Sequence, residues 1–207
     1  MLLTDRPSSL LPTIRSRCQP VYFGPLPDAF VVTRLVALGT LADAQAEELG
    51  RFVGGRLGVA LALAEDGWCS MTDRLAAALA DADDPLALAE AIEAVAKDAA
   101  GPIGRREADL SDAQARRRAL EIVFETLTSF YRDALLSATG ADLPATHAGR
   151  RELIDTLTHG QSARQIGERL ARLAEARRYV VANANPTLVV ETLAADLLAR
   201  PAATARI

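Results

Sequence analysis

Hydrophobic positions recur at helical spacing over most of the chain. After Gly24-Pro25-Leu26-Pro27, which reads as a hinge-like linker, Val31, Leu35 and Leu38 fall at i, i+4 and i+7 and predict a helix closed by Gly39. Thr40, with Asp43 three residues on, predicts an approximate capping box for a second helix, whose apolar positions continue to Phe52 and Val53 before Gly54-Gly55. Leu57 to Ala64 predicts a third. Beyond Gly67 the helices lengthen. Met71 to Ala80 is one. Asp84-Pro85, an N-cap followed by Pro at the first helical position, opens another with Leu88, Ile92 and Val95 on one face. Ser111 and Gln114 form a capping box before the clearest apolar stripe: Leu120, Val123, Phe124, Leu127, Phe130, Tyr131 and Ala134. A loop over Thr139–Gly149 follows. Two helices are expected at about Arg150–Leu157 and Ser162–Val181. A last one is capped by Asn185-Pro186 and buries Val190, Leu193 and Leu197.

The first 23 residues differ. Leu2-Leu3-Thr4 reads as the end of a strand and Val21-Tyr22-Phe23 as another short strand, with turn-forming Pro7, Ser8, Ser9 and Pro12 between them. Two strand stubs cannot make a stable sheet alone. The segment therefore reads as the tail of a domain whose body is missing. The expected fold is mainly α, in three parts: residues 1–23 as the remnant of an α/β domain, 24–66 as a small three-helix group, and 67–207 as a helical bundle.

Composition fits that picture. Of the 207 residues half are hydrophobic but only 4% are aromatic, and the net charge is −4. Packed helices favour such a mixture more than a sandwich or barrel does. An acidic balance points to protein partners and away from binding held by phosphate contacts alone. No apolar stretch is long enough to span a membrane, and the start lacks a signal-peptide pattern, so a cytoplasmic protein is expected.

Candidate chemistry is sparse. Cys18 and Cys69 form no CxxC pair and are expected to be buried, reduced thiols. His147 and His159 lie in polar stretches without ligand spacing and are expected at the surface. Trp68 is expected to pack between the second and third parts. Arg116-Arg117-Arg118, Arg150-Arg151 and Arg177-Arg178 read as solvated faces or subunit contacts. No Ser-His-Asp, Cys-His or paired-carboxylate constellation is discernible. The chain carries no GxxxxGK[ST] phosphate loop, so it is not expected to bind or hydrolyse ATP by itself.

One run is more specific. Leu10-Leu11-Pro12-Thr13-Ile14-Arg15-Ser16-Arg17-Cys18-Gln19 resembles the Ser-Arg-Cys motif of clamp-loader subunits in the AAA+ ATPase superfamily. Thr4-Asp5-Arg6-Pro7 resembles the sensor-1 region at the family's distance before it, and Phe23-Gly24-Pro25-Leu26 resembles the following linker. Gly54-Gly55-Arg56-Leu57-Gly58-Val59-Ala60-Leu61-Ala62-Leu63 resembles the third lid helix, with Val59 where many relatives place a sensor-2 arginine; Arg56 is not promoted to replace it. Asn183-Ala184-Asn185-Pro186 is similar to the start of the last collar helix of delta-prime subunits. Residues from about 70 to 180 match in helical character alone.

The resemblance implies a delta-prime-like, non-catalytic subunit of the bacterial DNA polymerase III clamp loader, within a holoenzyme that is a DNA-directed DNA polymerase. It implies an AAA+ remnant, a lid and a collar for the three parts. It also implies that Arg17 acts as an arginine finger at a neighbouring subunit's ATP and magnesium site, with Ser16 and Cys18 setting its backbone and packing. Partners would be motor (gamma/tau-type) and delta-type subunits, with DNA met through the complex and no membrane. The alternatives are the same region of a gamma/tau-type motor subunit, a free-standing helical adaptor, or a helical DNA-binding protein.

Overall fold

The computed structural model describes residues 2–4, 7–39 and 41–199 and is mainly helical, with no strand among them. After a short 3-10 turn at Pro7–Ser9 come ten α-helices. They are α1 (Pro12–Arg15), α2 (Asp28–Ala37), α3 (Asp43–Val53), α4 (Leu57–Glu65), α5 (Trp68–Ala80), α6 (Pro85–Arg106), α7 (Asp112–Thr139), α8 (Arg151–Thr158), α9 (Ala163–Val181) and α10 (Pro186–Leu198).

Local signals place most boundaries. Asp84 accepts the Ala87 N–H at 3.0 Å and starts α6 ahead of Pro85. Ser111 and Ser162 cap α7 and α9, each answered by a glutamine (Gln114 and Gln165) that accepts the cap residue's own N–H at 2.8 and 2.7 Å. Asn185 accepts from Thr187 at the start of α10. Left-handed Gly54 closes α3 and left-handed Gly140 closes α7.

Several expectations are corrected. Leu2–Thr4 and Val21–Phe23 are irregular, not strands: among the described residues no second strand lies beside them to complete a ladder. The proposed cap at Thr40 and the Asp5-Arg6 part of the sensor-1-like run lie outside the described residues. Ala42 is the N-cap of α3; lacking a side-chain acceptor, it donates its own N–H to Gln45 at 3.3 Å. Leu38 is not on the buried face: α2 ends at Ala37, and Leu38, in its C-cap, is exposed. Helix α5 begins three residues before Met71, with Trp68 following Gly67 (φ 80°). Helix α6 runs through Pro102, which forfeits one helical hydrogen bond near its end, where buried Ile103 anchors the last turn.

The apolar faces meet in one continuous core that runs from Val31 on α2 to Leu197 on α10. All seven stripe positions of α7 are buried, and α7 packs against α6, α8 and α9 as the central helix. Helix α10 closes the bundle against α6 and α9. Helices α2, α3 and α4 pack on one another and join the bundle through α5. Residues 2–23, outside the undescribed positions, lie at the surface, with Val21, Tyr22 and Phe23 strongly exposed.

Candidate functional site

The Leu10–Gln19 run is a short helix followed by a turn. Pro12 occupies the first position of α1, and Ser16 continues in right-handed helical geometry. Arg17 N–H donates to Ile14 O at 3.1 Å and Cys18 N–H to Arg15 O at 3.3 Å. Ser16 Oγ donates to Thr13 O at 3.3 Å, which holds the turn. Residues 15 to 17 thus advance with helical rotation. At about 100° per residue, Arg15 and Arg17 leave the backbone on different sides; an extended stretch would have sent them the same way. Both guanidiniums are exposed and make no side-chain hydrogen bond or ion pair among the described residues. Cys18 is exposed, which corrects the expectation of a buried thiol: no described residue packs over this segment.

Val59 and Arg56 lie elsewhere, on a cleft of about 250 Å³ between α4 and the bundle, whose walls also carry Arg106, Arg118, Glu125 and Arg177. Its charges largely answer one another. Arg106 takes both oxygens of Asp66, at 2.7 and 3.3 Å, and reaches Glu107 at 2.8 Å. Arg118 pairs with Glu121 at 3.4 Å, and Glu125 lies between Arg56 at 3.5 Å and Arg177 at 3.9 Å. Arg56 also donates to Val53 O at 2.7 Å, so it serves the turn between α3 and α4. A second, mostly apolar groove of about 230 Å³ runs between α9 and α10 past Tyr179, Leu188 and Leu193. The Ser-Arg-Cys run lines neither cleft.

The most densely bonded polar group was not legible beforehand. His147 is buried, contrary to its expected surface position, and so is most of Arg150. The Asp133 carboxylate on α7 accepts the backbone N–H groups of Thr146 and His147 at 3.1 and 2.7 Å. That fixes the loop before α8 and turns the His147 ring inward against Phe130, 4.5 Å between ring centres. Its Nδ1 meets Glu48 on α3, and its Nε2 lies 2.6 Å from Ser129 Oγ. Arg150 donates to both oxygens of Glu48, at 2.6 and 3.2 Å, and pairs with Asp73 on α5 at 2.8 Å. Burial alone would raise the Glu48 carboxyl. The hydrogen bonds from His147 and Arg150 outweigh it and hold the group below its ordinary value. Nearby Cys69 is buried, as expected, and desolvation followed by the charges of Glu48 and Asp73 pushes its thiol up to about 11.

Ser129, His147 and Glu48 share the connectivity of an acyl-transfer triad, but not its surroundings. Ser129 lies within helix α7, its hydroxyl also donates to Thr126 O at 2.7 Å, and neither cleft reaches it. The backbone N–H groups around it are committed to the helix, so they form no oxyanion hole. The cluster is a structural joint. Trp68 completes it: its ring packs on Phe52 at 4.8 Å and its N–H donates to Thr126 Oγ1 at 3.1 Å, the packing role expected of it. His159 is exposed, also as expected.

No group of three or more metal-ligating side chains is present among the described residues, and no helix there is long and apolar enough to cross a membrane. No family model matches the chain, and no curated protein matches it.

Proposed function

We propose that this chain comprises the end of the AAA+ domain, the lid and the collar of a delta-prime-like clamp-loader subunit and that Arg17 completes the ATP site of a neighbouring subunit. The observation that carries the reading is the ten-residue Leu10–Gln19 run, with the Arg17 guanidinium exposed and unpaired among the described residues. It is followed in order by a three-helix group (α2–α4) and a larger helical bundle (α5–α10), the sequence of parts that such a subunit requires.

The chemistry follows from the residue type. Charge develops on the transferred phosphoryl oxygens as ATP is hydrolysed, and a guanidinium presents a planar fork matched to phosphate. An arginine supplied by a neighbour accelerates such a reaction by about 10³–10⁵ in GTPases. Several sites share the work in a ring, so the effect at one of them is smaller. DNA polymerase III would be served indirectly, through loading of its sliding clamp.

The test is a clamp loader reconstituted with the complete subunit carrying Arg17→Ala. The ring assembles, but DNA-stimulated ATP hydrolysis and clamp loading fall; Arg17→Lys restores them only in part, because a point charge lacks the fork. Arg15→Ala has much less effect, since that side chain leaves the turn on another side. Wild-type rates with Arg17→Ala would contradict the assignment.

A further inference from the structure

Helices α2–α4 bury Val31, Leu35, Leu49 and Val53 in a core that continues into the bundle, and polar contacts flank that apolar junction at both ends. At one end of the joint Asp66, the C-cap of α4, is held in a two-point grip by Arg106 of α6, and the chain turns at Gly67 with φ 80°. Only a residue tolerant of left-handed geometry adopts that turn without strain. In the middle, Phe52 of α3 packs on Trp68 of α5. At the other end stands Glu48. On the remaining side the 250 Å³ cleft separates α4 from α6, α7 and α9.

We propose that Glu48, His147 and Arg150 form a latch that holds α2–α4 against the bundle, and that releasing it lets the three helices turn about Asp66–Gly67 into the space of the cleft. The partners of Glu48 belong to one short stretch, His147 to Arg150, which makes no ladder of its own and is held in place by the Asp133 carboxylate. Polar groups released from such a contact can exchange their partners for water, which released apolar groups cannot do. The charged groups facing the latch are Glu48 from α3, Asp73 from α5, Asp133 and Arg132 from α7, and Arg150 itself; the Cys69 thiol lies nearby on α5. The device does not depend on the clamp-loader reading.

Trp68 is the single tryptophan and stands inside the joint, so its fluorescence reads the latch. Glu48→Gln keeps the size of the side chain but removes its charge and points an amide N–H at donors. Arg150→Lys keeps the charge but loses the fork that spans Glu48 and Asp73. Each variant of the full chain is measured for tryptophan emission, acrylamide quenching and far-UV circular dichroism, with Arg164→Ala, at an exposed position of α9, as control. The latch predicts a red shift and a rise in quenching of about twofold or more in both variants, with helix content retained. Wild-type emission and quenching in either folded variant would overturn it. So would loss of helix content in both, because α2–α4 would then not be a separable unit. If Glu48→Gln alone unfolds, Arg150→Lys decides.

Discussion

Arg169 of α9 donates from Nε to the carbonyl oxygen of Leu197 on α10, at 2.9 Å. Its Nη2 reaches Ala199 O at 3.1 Å, so one buried guanidinium occupies the carbonyl end of α10. Those carbonyls have no partners within their own helix, and a cation there also meets the negative end of the helix dipole. Arg169→Ala should therefore lower stability by about 1.5–3 kcal/mol, the range for hydrogen bonds to a charged group. Urea unfolding checks it, with hydrogen exchange expected to rise first in α10.

Asp133 offers a second test. Its carboxylate accepts two backbone N–H groups, and an asparagine can accept only one while turning an N–H toward the other. Asp133→Asn should cost about 1–3 kcal/mol and speed amide exchange over residues 141–150, leaving α9 protected. Unchanged exchange there would show that the loop is held by other contacts.

The two thiols should separate cleanly. Cys18 is exposed, whereas the Cys69 thiol is buried with its pKa near 11. A disulfide reagent at pH 8 should modify one thiol per native chain quickly and the second only on denaturation, because the thiolate is the reacting species. Two fast thiols would contradict the buried position of Cys69.

Glu48 sets a pH dependence with a definite sign. Its folded value lies below the ordinary 4.5, so the ionised carboxylate stabilises the fold at higher pH. That contribution is fully present above the ordinary value and is lost as pH falls through the lower folded one. The stability gap between the native chain and Glu48→Gln should thus be constant near neutral pH and shrink below 4.5. Unfolding curves across that range measure it; a gap that grows on acidification would reverse the assignment.

How much of this was legible in the sequence follows from the range of each interaction. Caps such as Asp84, Ser111, Ser162 and Asn185 act over two or three residues, so they are readable at sight. The α7 stripe is equally local. Val21-Tyr22-Phe23 has strand-forming side chains, but a strand also needs a neighbour, and local sequence cannot report one. The Glu48–His147 contact joins positions 99 residues apart, and no spacing rule connects them. A histidine in a polar stretch looks exposed until Asp133 folds its loop inward. The Leu10–Gln19 run could be read at sight as a resemblance; that Arg15 and Arg17 leave it on different sides required the backbone turn at Ser16.

The most direct measurement of the central claim is assembly. The purified 207-residue chain is mixed with the gamma/tau-type and delta-type subunits of the same organism's clamp loader and examined by native mass spectrometry. The clamp-loader reading predicts a stable mixed complex containing one copy of this chain beside the motor subunits, formed through its helical bundle. A chain that stays apart from those subunits at micromolar concentration, while they assemble with one another, would contradict it.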